Sequence, residues 1–306
     1  MTNEIIDVVI VGAGPAGLQA ALHSTRKKAA TIVLGKPQKS SIYRAHVENY
    51  LCVDGVTEGS EMLRVGREQA LRFGAETVEE DVLHIVQKDS LFHITIESGR
   101  EITARTIIIA TGTARKTLKV KGEKELLGRG VSYCVDCDAN FFRNAKVAVV
   151  GNESAAADGA LTLTKYASAV TLVAKSLNVS EELAKKLAES SVIIQQGTWV
   201  KEILGENAVQ GLLLADDTTL EVEGVFIELG AKGAVELANN LGVLLDTETF
   251  THIQTNKQQE TNLPGIYAAG DITGHPYQMA KAVGEGCVAG MEAAKFANKQ
   301  KRGAEE

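Results

Sequence analysis

The chain opens on Ile5-Ile6-Asp7-Val8-Val9-Ile10-Val11, β-branched at every position except Asp7, which predicts a buried strand. Gly12-Ala13-Gly14-Pro15-Ala16-Gly17 follows at once, then a helix-compatible run from Leu18 to about Lys28 and a short apolar strand from Thr31 to Leu34. This is the grammar of a βαβ unit with a glycine-rich turn between its first strand and its helix. The same grammar returns about 139 positions later: strand Lys146 to Val150, turn Gly151-Asn152-Glu153-Ser154-Ala155-Ala156, helix from about Ala157 to Tyr166, and strand Ala169 to Val173. Between the two units, alternating runs at 82–86 and 91–97 predict strands, with Gly99 at the turn that follows, and Thr106 to Ala110 predicts another that ends at Thr111-Gly112. Further strands are expected at 209–214, 225–229 and 266–268, the last running into Ala269-Gly270-Asp271. A final helix from about Gln278 to Phe296 is rich in small residues that permit close packing against a cofactor or sheet, and the charged segment 299–306 is expected to fray.

Two nucleotide-binding plans in 306 residues predict an α/β fold of two Rossmann-like, three-layer domains. In the first turn, Gly12 permits the tight bend, Gly14 lets backbone approach a pyrophosphate, and Gly17 lets helix and strand pack closely; Pro15 and Ala16 belong to the same cofactor-binding turn, and backbone donors at the start of the following helix face the phosphates.

Charge narrows the classes of partner. A net charge of -7 and a pI near 5.5 argue against a dedicated nucleic-acid or anionic-membrane binder, which needs concentrated positive charge. Local basic patches that dock a small acidic electron carrier stay open. No apolar stretch approaches the roughly 20 residues of a membrane helix. The opening residues also lack the basic, apolar and small-residue plan of a signal peptide, so a soluble cytoplasmic protein is expected.

Four cysteines with a single close pair do not make a structural disulfide framework. The pair is Cys134-Val135-Asp136-Cys137, followed by Asp138. Two cysteines at this spacing can form and release a disulfide across a short turn, and a helix N-terminus can make the first thiolate available for exchange. The competing reading is half of a zinc site, but neither Cys52 nor Cys287 belongs to a second close pair. Those two, with His46 and His275, are given no catalytic role.

Taken in order, Gly12-x-Gly14-Pro15-Ala16-Gly17, Ala110-Thr111-Gly112, Val131-Ser132-Tyr133-Cys134-Val135-Asp136-Cys137-Asp138, the turn at Gly151 and Gly270-Asp271 resemble the low-molecular-weight thioredoxin reductase family along nearly the whole chain. The resemblance implies a discontinuous FAD domain over 1–117 and 245–306, with residues 118–244 forming an inserted domain that normally binds a nicotinamide cofactor and carries the thiols. It also implies a homodimer whose domains rotate to expose the disulfide alternately to flavin and to a thioredoxin-like partner. On this resemblance Cys134 attacks the partner disulfide, Cys137 exchanges electrons with the flavin ring, and Asp138 handles the proton. Asp271 contacts the ribityl chain, and Thr111, Gly112, Gln278 and the pair Glu48-Asn49 are flavin-side elements.

The departures from the family pattern are specific. Glu153 stands where the second turn should carry its middle glycine, so a side chain and a negative charge crowd the pyrophosphate approach. The stretch that reads the extra phosphate of NADPH is reduced to Val173-Ala174-Lys175-Ser176, with one basic residue. Near the flavin, Lys39-Ser40-Ser41-Ile42 replaces the usual loop, and Tyr277 replaces an arginine, either stacking on a ring or packing without cofactor contact. Atypical relatives lacking the nicotinamide fingerprints take electrons from ferredoxin or a deazaflavin, or carry a second FAD in place of NADPH. A disulfide reductase fed by one of these routes is the favoured expectation. The alternatives are an NADH- or NADPH-dependent thioredoxin reductase with an altered phosphate site, and a flavin-binding redox sensor without turnover.

Overall fold

A computed structural model describes residues 4–112, 117–247 and 250–305. Its contacts divide the chain into two compact units: the described parts of 1–96, 100–114 and 233–306 form one, and those of 97–99 and 115–232 form the other.

The first unit is organised by a sheet in which strand Ile6–Val11 lies between Thr31–Leu34 and Glu101–Ile109, parallel to both. Glu76–Val78 extends the sheet beyond Thr31–Leu34, and the antiparallel strands Leu91–Ile96 and Val82–Lys88 extend it on the other side. Strand Ile266–Ala268 pairs with the end of Glu101–Ile109, so that Ala268 lies opposite Ile109 and Ile109 opposite Val11. Both faces are covered, which explains the unbroken apolar run: Val9, Val11, Ile107 and Ile109 enter one core cluster, while Val8, Ile10 and Ile108 enter the other.

The helix of the first βαβ unit begins three residues earlier than its periodicity suggests, at Pro15, and ends at Arg26. Proline suits the first helical position because its missing N–H has no intrahelical partner there. The final helix runs from Met279 to Glu305 and does not fray at 299 as expected. Lys301 anchors it by donating to the fully buried carboxylate of Asp7 at 2.9 Å. Two of its small residues meet the first helix: a Cβ on Gly286 would stand 2.1 Å from the Ala16 carbonyl oxygen, and one on Gly290 would stand 2.3 Å from that of Ala20.

The second unit holds a parallel sheet in the order Ile193–Gln196, Ala169–Ala174, Lys146–Val150, Gly224–Ile227, Val131–Ser132. A three-stranded antiparallel sheet of Val200–Leu204, Gly211–Leu214 and Thr219–Leu220 packs into the same core through Ile203, Leu212 and Leu214. The helix after the second glycine turn spans Ser154–Leu163, again starting earlier than the sequence pattern implies. Both sheets are Rossmann-like, as expected for an α/β dinucleotide-binding architecture. The chain joins the first unit at Gly233, ahead of the expected 245, because helix Ala234–Leu241 buries Leu237 and Ala238 in that unit's core. Among the described residues no helix is long and apolar enough to cross a membrane.

Candidate active site

Cys134 and Cys137 are joined in a disulfide with their Cα atoms 5.3 Å apart. Strand Val131–Ser132 delivers Cys134 to the N-cap of the short helix Val135–Asp138, where the Cys134 sulfur accepts the N–H of Cys137 at 3.2 Å. Ser132 organises the turn: its hydroxyl donates to Asp138 Oδ2 at 2.6 Å and accepts the Cys134 N–H at 3.0 Å. Asp138 is thereby held in the loop that carries the cysteines. Glu228 accepts the N–H of Val135 at 3.2 Å, and the Tyr133 hydroxyl donates to Glu123 at 2.8 Å. Cys134 is half-buried and Cys137 exposed.

In the first unit, the ends of three parallel strands place the expected dinucleotide residues on one edge, where ligands of open α/β sheets bind. Gly12 has φ +120, and a Cβ there would lie 2.2 Å from the Ala110 carbonyl oxygen and 3.0 Å from the N of Thr111, so the first turn and the Thr111-Gly112 turn touch. Gly14 caps helix Pro15–Arg26 through backbone alone, and a Cβ on it would meet Ser40 Oγ at 3.3 Å. The first intrahelical bond is Leu18 N–H to the Gly14 carbonyl, so the N–H groups of Ala16 and Gly17 stand ahead of it at the positive end of the helix. These residues fit a dinucleotide pyrophosphate.

Gly270, at φ +89, brings the third strand end against Ala16, with 2.9 Å between a Cβ on Gly270 and that of Ala16. Asp271 follows on a 3-10 turn over Asp271–Thr273, and burial pushes its carboxyl above the usual range; Lys281 opposes the rise, Glu285 adds to it and His275 opposes it. The turn is braced by two residues that the sequence pattern did not single out. Glu285 Oε2 accepts from the Gly270 N–H and the Thr273 hydroxyl, both at 2.8 Å, while the Lys281 ammonium donates to the Gly270 carbonyl at 2.8 Å and to Glu285 at 3.0 Å. Their i, i+4 spacing on the final helix was the visible signal.

Tyr277 is exposed and stacks on His275 at 3.9 Å, and its hydroxyl lies 2.7 Å from His252 Nε2. Gln278, beside it, is exposed, as are Glu48 and Asn49 after strand His46–Val47.

The second glycine turn has a different character. Gly151 repeats the tight approach of Gly12, a Cβ on it standing 2.0 Å from the Glu228 carbonyl oxygen, but Glu153 occupies the N-cap of Ser154–Leu163 where the first turn has Gly14. The Ala155 N–H, which an anion at this helix start would need, already donates to the Gly230 carbonyl at 3.1 Å. Asn152 Oδ1 accepts the Lys175 N–H at 3.0 Å, and the Lys175 ammonium lies 5.3 Å from the centre of the Trp199 ring. These residues do not fit the pyrophosphate of NADPH.

Comparison with known proteins matches residues 6–286 to the family described as pyridine nucleotide-disulphide oxidoreductase. Thioredoxin reductase of Aquifex aeolicus (strain VF5) is 35% identical over 314 residues, covering 98% of this chain and 96% of that protein. Among solved structures, the atypical thioredoxin reductase TRi from Desulfovibrio vulgaris Hildenborough shares 34% identity at a TM-score of 0.84, with 95% of this chain and 98% of that chain covered. A ferredoxin-flavin thioredoxin reductase from Clostridium acetobutylicum shares 32% identity at a TM-score of 0.69, with coverage of 96% and 98%.

Proposed function

Because the chain belongs to the low-molecular-weight thioredoxin reductases, flavin-dependent disulfide oxidoreductases, we propose that it passes electrons from FAD through Cys134 and Cys137 to a thioredoxin-like disulfide, and that its donor is not NADPH. The observation that carries this reading is an active-site disulfide held by Ser132 and Asp138 in the same unit as a second nucleotide turn whose Ala155 donor is already taken by Gly230. Bound FAD supplies the two-electron couple between donor and disulfide. On this reading the first unit is a discontinuous FAD domain and the second an inserted domain carrying the dithiol. Gly12, Gly14, Pro15, Ala16 and Gly17 hold the pyrophosphate, with Thr111 and Gly112 beside them. Asp271 takes the ribityl hydroxyls, and Tyr277, Gln278, Glu48 and Asn49 border the ring.

In the reduced form, the Cys134 thiolate attacks one sulfur of the partner disulfide, forming a mixed disulfide and releasing the partner's second sulfur as thiolate. Cys137 then attacks the Cys134 sulfur, re-forming the intramolecular disulfide and expelling the partner as dithiol. Asp138, oriented by Ser132, holds and returns the proton that the leaving thiolate needs. Exposure orders the two cysteines the other way, with Cys137 the more open, so the attacking residue is decided by trapping: C137S and not C134S should accumulate the mixed disulfide.

A protein or deazaflavin donor suits the closed second turn better than NADPH or a second FAD, since either dinucleotide needs a pyrophosphate site. The Clostridium acetobutylicum relative, named for ferredoxin, supports the same choice. A homodimer is expected from the family. The test is to follow flavin and thiol reduction after mixing with reduced ferredoxin, reduced deazaflavin, NADH or NADPH separately, with bound FAD counted per chain. Reduction by ferredoxin or deazaflavin at one FAD per chain supports the proposal; rapid reduction by NADPH overturns it.

A further inference from the structure

Lys232 is a buried cation placed against the dithiol loop from outside the motif. Its side chain is 2% exposed, and its ammonium lies 2.8 Å from Asp136 Oδ2 and 2.9 Å from Asp158 Oδ2. Asp136 sits between the two cysteines, and Asp158 lies on helix Ser154–Leu163 in the same unit. An ammonium group loses much hydration on burial and is tolerated where carboxylates answer it. Glu228, four residues before Lys232, accepts the Val135 N–H, so one chain segment grips the Cys134–Cys137 loop by a backbone bond and by an ion pair.

We propose that Lys232 is a positioning residue which, through Asp136, sets the acidity of the reduced dithiol. The proposal rests on the redox role of Cys134 and Cys137. Reduction of their disulfide takes two electrons and two protons, and exchange requires one of the resulting thiols to give up its proton. That thiolate forms in a loop that carries Asp136 and Asp138 itself and whose neighbours hold Glu228 on the Val135 N–H, Glu123 on the Tyr133 hydroxyl and Asp158 on Lys232, and these carboxylates disfavour a further negative charge. Lys232 offsets the nearest of them. Its charge favours the thiolate, and its bonds fix the Asp136 side chain so that the loop keeps one geometry in both redox states.

The test uses holoenzyme reduced with dithiothreitol and freed of it, and reads the rate of alkylation by iodoacetamide as a function of pH. K232M should move the alkylation midpoint up by roughly one pH unit, the size expected of one nearby charge in a partly buried site. K232R should restore most of the shift. D136N removes negative charge from the same place and should move the midpoint down. Opposite shifts support the proposal, because mere loosening of the loop moves both variants the same way. An unmoved midpoint, or shifts of the same sign, overturns it. If K232M does not fold, D136N decides alone, a downward shift supporting the proposal and any other result overturning it. The measurement needs neither electron donor nor thioredoxin, so a failure of the proposed activity leaves it standing.

Discussion

Gly12 lies so close to Ala110 that a Cβ on it would stand 2.2 Å from the Ala110 carbonyl oxygen, and its φ of +120 is one that side chains rarely adopt. Gly151, at the equivalent point of the second unit, would meet the Glu228 carbonyl at 2.0 Å. Gly12→Ala should therefore push apart the first turn and the Ala110-Thr111 turn, and the purified protein should lose most of its FAD. Gly151→Ala should lower the melting temperature while FAD is retained, because its strain falls in the other unit. Absorbance of bound flavin after gel filtration, beside a thermal melt, separates the two outcomes.

Both glycine turns were legible in the sequence because the strand, the turn and the helix are contiguous and each carries its own period. The cysteine pair was legible for the same reason. What surrounds the pair was not: Lys232 lies 96 residues from Asp136, and nothing local distinguishes it from a surface lysine. The tail shows the same blindness, since Lys301 reads as a solvated charge until Asp7, 294 residues away, is placed beside it. Helix starts were misjudged by about three residues because alanine and serine after a glycine turn carry little periodic signal, whereas Pro15 and the backbone caps set the true boundary.

Lys281 and Glu285 grip Gly270 from its carbonyl and its N–H, and so fix the direction in which Asp271 leaves the strand. Glu285→Gln and Lys281→Met should each weaken FAD binding about tenfold, the effect of losing about 1–2 kcal/mol of charge-assisted hydrogen bonding. Alkylation of the dithiol should stay unchanged. Titrating apoprotein with FAD by flavin fluorescence checks the first part, and unaltered FAD affinity in both variants would remove the brace from the site.

On the proposed function Glu153 is one of several obstacles at the second turn, so removing it alone should not create an NADPH-dependent enzyme. Glu153→Gly leaves the Ala155 N–H bonded to Gly230 and Asn152 bonded to Lys175. Flavin reduction by NADPH in this variant is expected to stay within about twofold of the parent, measured by anaerobic stopped flow. A large gain would show that the Glu153 side chain was the decisive block and that the turn can reopen.

Asp271 carries a cost in the empty protein and, on the proposed function, a use in the loaded one. Burial raises its carboxyl above the unfolded value, so its contribution to stability is complete below the unfolded pKa and is lost as pH rises through the folded value. Above its folded pKa the ionised, half-buried Asp271 therefore destabilises the apoprotein relative to a neutral side chain of the same shape. Asp271→Asn apoprotein should melt at a higher temperature than the parent at pH 7 to 8. The gap should close as pH falls towards the ordinary carboxylate range near about 4. FAD affinity should move the other way, falling because an amide oxygen accepts the ribityl hydroxyls less strongly than a carboxylate does. A melting gap that widens at low pH would contradict the sign of the linkage, and an unchanged FAD affinity would release Asp271 from the cofactor.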